Sequence, residues 1–233
     1  MNSKSYYLSF TEFYLLASKM GINSIYGFTD SVSLNPSPRD IAVTLNHLVR
    51  NKLMSVDAHS LTVKSELKEL FEYIVSAKDC VVIYSSGPVY RILCCYVAAK
   101  TVITEISEDG NKIKLSCMEN HEIIEFLEEE SLISRRNTYD PGRLYEGSET
   151  IDYLAKKGYE ADALTLRSMD NICCVFDFMD CRNIRKICRG CFVDDTVPES
   201  LAVLTDGASE IFFGTGEIIE EIMTLWRNCY DKY

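Results

Sequence analysis

The sequence predicts an α+β fold built as two similar halves, with antiparallel sheets packed against helices. Three observations predict it. The apolar period shifts from helical spacing to strand-rich runs between turn signals, and this cycle occurs twice along the chain. The tetrapeptide EIIE stands at 122–125 and again at 217–220, each time opening an apolar-periodic stretch. Of the 233 residues, 47% are hydrophobic, enough for a substantial core.

Taken in order, Ser9 is placed to cap a helix running to about Met20, with Glu12 at the capping-box position. Phe13, Leu16, Ala17 and Met20 share its apolar face, and Gly21 ends it. INSIYGFTDSVSLNPS has turn residues and no sustained period. Ser37-Pro38 then starts a second helix, since proline is tolerated where the first N–H has no intrahelical partner. Ile41, Leu45, Leu48 and Val49 form its apolar face, and it ends near Leu53. MSVDAHSLTV reads as two short strands about a turn at Asp57–Ser60. A third helix, about Lys64–Lys78, is expected to bury Leu67, Leu70, Phe71 and Ile74.

Four strands follow, DCVVIYSS, PVYRILCCYVA, TVITEIS and KIKLSCM, with turns at Gly87-Pro88 and Asp109-Gly110. They lead into the first EIIE helix, about Glu119–Ile133. SRRNTYDPGRLYEG lacks a period and carries one Pro and two Gly, so 135–147 reads as a linker. Helices are expected over 148–157 and 160–169. Four more strands, NICCVFDFM, NIRKICRGCFV, SLAVLTD and SEIFFG, precede the second EIIE helix, about Gly216–Tyr230. The units are therefore 1–134, with a winged-helix-like portion at 9–63, and 148–233. The matching element order reads as a diverged duplication.

The formal net charge is −11. Residues 1–80 carry eight Lys and Arg against eight Asp and Glu, and residues 81–233 carry 16 against 27. Nucleic-acid binding, which depends on cations neutralising phosphates, is not expected. Nor is membrane insertion, because no run approaches the roughly 18 apolar residues that spanning requires. MNSKSYYLSF lacks the apolar stretch of a signal peptide, and the ten cysteines sit mostly in apolar runs, as in a reducing compartment. A cytoplasmic location is expected.

No motif assembles an active site, and no cofactor is implied. The histidines, His47, His59 and His121, have no metal-ligand spacing. Asp194-Asp195 and the pair Asp177 and Asp180 read as solvated strand-end carboxylates. Cys188-Arg189-Gly190-Cys191 is a CxxC, but a redox pair needs its first cysteine at a helix N-terminus. Here it falls in a strand, with Gly190 read as a bulge, so neither metal nor redox chemistry is expected. The helix–helix–hairpin order of 9–63 leaves open a transcriptional regulator with a C-terminal sensing or dimerisation domain. Its turn at Asp57–Ser60, however, carries no Lys or Arg. An enzyme ranks third. Within the linker, Arg135, Arg136 and Arg143 alternate with Tyr139 and Tyr145. Arg and Tyr are enriched at interface hot spots, so these five form the candidate partner-binding set.

LSFTEFYLLASKMGI, the Pro-started helix ending in LVRNKLM, and SLTVKSELKELFEYI together resemble the start of EspG-type proteins. VFDFMD, VLTDGASEIFFG and the final amphipathic helix are similar to their C-terminal pattern. The resemblance implies two α+β halves related by a pseudo-two-fold around a central sheet. It also implies a non-enzymatic cytosolic chaperone or adaptor of type VII secretion. The partner so implied is a small helical secreted protein, WXG-type or similar, and the family has no catalytic residues to carry over.

Overall fold

The computed structural model describes residues 5–22, 25, 36–57, 60–85, 91–106, 112–133, 149–169, 172–193 and 199–230. It is an α+β structure organised on a nine-stranded antiparallel sheet.

The first half contains β1 (Tyr6–Ser9), α1 (Phe10–Lys19), α2 (Pro38–Arg50), β2 (Met54–Asp57), β3 (Ser60–Val63) and α3 (Ser65–Ser76). It continues with β4 (Asp79–Ser85), β5 (Arg91–Val97), β6 (Thr101–Ile106), β7 (Lys112–Met118) and α4 (Ile123–Glu129). The second half contains α5 (Glu149–Lys157), α6 (Ala163–Arg167), β8 (Ile172–Asp180), β9 (Arg185–Val193), β10 (Ser200–Thr205), β11 (Ala208–Phe213) and α7 (Thr215–Tyr230).

The sheet order is β1-β7-β6-β5-β4-β8-β9-β10-β11, and β2 pairs with β3 as a separate hairpin. Strands β4 and β8 meet at the centre, in register from Asp79 opposite Asp180 to Ser85 opposite Cys174. Outward from that seam each half runs as a four-stranded meander in chain order. The two meanders form one sheet because the hydrophobic strands β4 and β8 pair, which agrees with the central sheet that the resemblance implies.

Alternation along the strands sends side chains to two faces. Cys80, Val82, Cys94 and Tyr96 pack on one face with α1, α2 and α3. On the same side of the second half, Val175, Cys191, Ala202 and Leu204 pack beneath α5 and α6. The opposite face is a single core spanning the seam. Val81 and Ile83 join Phe176 and Phe178 there, under Ile123 and Leu127 of α4 and Ile218, Ile222 and Trp226 of α7.

The two EIIE segments therefore lie over the same face. Their first Ile is buried, their second half-buried and their last Glu exposed in both copies. Their first Glu anchors the helix start in each case. Glu122 accepts from the Glu119 amide at 3.0 Å, and Glu217 accepts from the Phe213 amide at 3.2 Å.

The caps follow the sequence. Ser9 Oγ accepts from the Glu12 amide at 3.1 Å while Glu12 Oε2 accepts from the Ser9 amide at 2.7 Å. Ser37 and Asp40 repeat that arrangement ahead of Pro38. α3 buries the four residues expected.

Several expectations are corrected. Tyr6–Ser9 is a strand paired with β7, a non-local contact that local pattern does not report. The first EIIE helix is shorter than expected: a 3₁₀ turn at Asn120–Glu122 precedes α4, and left-handed Ser131 closes it. Gly190 is regularly paired with Phe176 and Val203, so it is not a bulge. The irregularities fall between Ile172 and Cys174 and between Phe178 and Met179 instead. A Cβ at Gly190 would sit 3.3 Å from Leu201 Cδ1, a tight approach that the leucine would have to relieve by a few tenths of an ångström.

Candidate functional site

A groove of about 920 Å³ runs between the end of α1, strand β3 and α3. Local structure builds it. Gly21, at φ +75, ends α1 by letting the Ile22 amide reach the Ala17 carbonyl at 3.0 Å and its own amide reach Ser18. That reversal carries Ile22 to the groove wall. Across from it, α3 contributes Phe71, Ile74 and Val75, and β3 contributes Leu61 and Val63. Tyr96 and Cys181 also line it, Cys181 held by its amide to the Lys78 carbonyl at 2.7 Å.

Its rim is cationic. Lys19, Lys68 and Arg182 stand around it against one carboxylate, Glu72. Lys68 and Glu72 pair along α3 at 3.4 Å. Among the described residues, the Lys19 and Arg182 side chains have no carboxylate partner. Val75 is 59% exposed, an apolar residue turned to solvent beside these cations. An apolar trough rimmed by these cations suits a helix carrying an apolar stripe and acidic shoulders.

None of the described candidate residues marked by sequence lines this groove. Arg135, Arg136, Tyr139, Arg143 and Tyr145 lie outside the described residues, as do His59 and Asp194-Asp195. Cys188 and Cys191 face opposite sides of β9, Cys188 in the core shared by α4 and α7 and Cys191 beneath α5 and α6. Three residues apart on a strand, their sulfurs cannot meet. Burial pushes the Cys191 thiol up to about 12, which removes the thiolate that redox chemistry needs.

Asp177, read as a strand-end carboxylate, is buried and paired with Arg189. The Arg189 guanidinium also donates to the carbonyls of Gly158 and Ala161, clamping the α5–α6 turn onto the sheet. The signal for this pair was present in the sequence. Asp177 interrupts VFDFM and Arg189 interrupts ICRGCFV, in strands otherwise fit for a core. His47 Nδ1 lies 2.5 Å from Glu12 Oε1, so the first histidine ties α2 to the α1 cap.

No family model and no curated protein matches the sequence. A solved structure is similar in fold. It is that of the Mycobacterium tuberculosis type VII secretion system chaperone EspG5 in complex with a PE25–PPE41 dimer, similar at a TM-score of 0.59 and 9% identity over 97% of each chain. The fold is EspG-like. At that identity the likeness is one of fold alone, and it takes in both halves of the sheet with their helices. No described helix is long and apolar enough to cross a membrane.

Proposed function

We propose that this protein is a non-enzymatic chaperone or adaptor that holds a helical segment of a secreted protein, as in a type VII-like system. Correspondence over 97% of each chain with a type VII secretion chaperone carries the reading. The groove supports it physically. Its apolar wall buries a partner's apolar stripe, and Lys19 and Arg182 select acidic shoulders and fix orientation. Such a protein keeps an aggregation-prone amphipathic segment covered until export, in the reducing cytoplasm to which its ten cysteines are suited.

The test is co-expression with small helical secreted proteins, WXG-type candidates included, followed by co-purification. A stable complex is expected. Val75→Asp and Arg182→Glu should each weaken it about tenfold, or about 1.4 kcal/mol. Recovery of the protein alone beside every candidate overturns the reading. A complex indifferent to both substitutions moves the site away from this groove.

A further inference from the structure

Helix α3 is a ridge between two grooves of opposite charge. Its other flank borders a second groove, of about 560 Å³, against β7 and α4. The floor is apolar: Tyr6 and Leu70 are buried, and Tyr73, Cys117, Met118 and Phe126 are half-buried. α3 and α4 flank it from opposite faces of the sheet, with residues 116–118 of β7 between them, which leaves a trough along the sheet edge for an amphipathic segment.

Among the described residues, the walls carry more carboxylates than cations. Six glutamates line the groove against two lysines, Lys100 and Lys114. Glu66 pairs with Lys64 at 2.9 Å, Glu119 with Lys100 at 2.8 Å and Glu130 with Arg91 at 2.7 Å. Lys114 approaches Glu105 instead, at 3.7 Å. Three carboxylates remain. Among the described residues, Glu69 accepts only the Tyr73 hydroxyl, at 2.9 Å, and Glu122 accepts the Glu119 amide. Glu129 faces no cation among the described residues. The floor feels this field. Cys117 is pushed to about 11, chiefly by burial, with Glu119, Glu69 and Glu122 adding to it against Lys100. The Tyr73 hydroxyl is raised by its bond to Glu69.

We propose that this second groove docks a cationic amphipathic helix of a protein partner, its apolar stripe on the Met118–Phe126 floor and its Lys or Arg residues against Glu69, Glu122 and Glu129. Anionic lipid and nucleic acid are repelled by the same walls, and a bare metal ion has no use for an apolar floor. The groove is separate from the cation-rimmed one, so the proposal stands whether or not that groove holds a secreted helix.

The probe is a labelled 18-residue helical peptide with leucines on one face and lysines on both shoulders, beside a counterpart with glutamate for lysine. Fluorescence anisotropy on the full chain reads binding, and Trp226 emission verifies that each variant is folded. The cationic peptide should bind saturably, more weakly with added salt, and its counterpart should not. Glu69→Lys with Glu129→Lys should weaken binding at least tenfold, and Phe126→Ser should weaken it as well. Glu160→Lys with Asp206→Lys, an equal charge change at the α5 and β10–β11 turns, should leave affinity within twofold. Equal weakening by the distant pair would reduce the effect to net charge and overturn the proposal. So would the absence of saturable peptide binding, or stoichiometric Ca²⁺ uptake by a groove that ignores the peptide.

Discussion

Arg189 and Asp177 lie directly opposite each other on β9 and β8, joined by two parallel hydrogen bonds, Nε to Oδ1 at 2.6 Å and Nη2 to Oδ2 at 2.9 Å. Both side chains are almost wholly buried. The remaining Nη1 holds the Gly158 and Ala161 carbonyls, so the pair fixes α5 and α6 on the sheet. A lone charge here has no water to turn to. Asp177→Leu should cost about 3–5 kcal/mol in chemical denaturation. Asp177→Leu with Arg189→Met should cost less than the sum of the single changes, because the double variant strands neither member of the pair, although Lys186 Nζ loses Asp177, 3.7 Å away. Strict additivity would show that the ion pair contributes no coupling.

The clamp also requires close approach. A Cβ at Gly158 would meet Leu204 Cδ1 at 2.7 Å and the Leu154 carbonyl oxygen at 2.9 Å. Gly158→Ala should destabilise by about 1–3 kcal/mol through overpacking, despite alanine's better helix propensity. A melting temperature at or above wild type would contradict that packing.

Ile123 and Ile218 open the two EIIE helices and meet one core that includes Trp226. Each should cost about 2–5 kcal/mol on truncation to alanine, and the exposed Glu125 and Glu220 should change stability by less than about 0.5 kcal/mol on the same substitution. Because Trp226 is the chain's single tryptophan and is 1% exposed, its emission reports unfolding of the core that both helices cover. Separate transitions for the two isoleucine variants would mean that the halves unfold independently.

How much of this was legible depended on how local the physics is. The caps at Ser9 and Ser37 involve residues three apart, and the buried face of α3 follows helical period, so both were readable. The strand Tyr6–Ser9 was not, because its partner Lys112–Leu115 is more than a hundred residues away. The EIIE repeat announced two equivalent helix starts, but not that β4 and β8 would join the halves in one sheet. The grooves were invisible for the same reason. Each needs one flank of α3 set against elements that only the sheet brings near. The Arg/Tyr set at 135–145 was chosen by composition alone and lies outside the described residues.

Glu221 of α7 has its carboxyl pushed above the usual range, first by burial and second by Glu210 on β11. A raised native value favours the protonated form. The associated stability is present below the unfolded glutamate value, about 4.3, and is lost as pH rises through the native one. At pH 7 the ionised side chain is therefore a penalty. Glu221→Gln should raise the melting temperature at pH 7, and the gain should vanish below about pH 4. It should stay under about 1 kcal/mol, because solvent screens a partly exposed group. A variant less stable than wild type at pH 7 would contradict the sign.

Ile184 closes the β8–β9 turn, which sets Arg182 at the rim of the larger groove. It does so at φ 51, a left-handed conformation that branched side chains resist. The turn is held from within. Asp180 Oδ1 accepts from the amides of Arg182 at 2.8 Å and Asn183 at 3.2 Å, and its Oδ2 accepts from the Asn183 side chain at 2.7 Å. Ile184 itself is 72% exposed, so its side chain returns little burial energy for the strain. Replacement by glycine or asparagine should therefore stabilise the protein by about 1 kcal/mol, against the general tendency of substitutions to destabilise. Asparagine separates the causes, since it tolerates the left-handed region without glycine's extra freedom in the unfolded chain. If Ile184→Asn lowers stability in urea denaturation, the isoleucine contributes contacts that outweigh its backbone cost. If it raises stability while leaving partner affinity unchanged, the turn acts as a rigid support for Arg182, and residue 184 takes no part in binding.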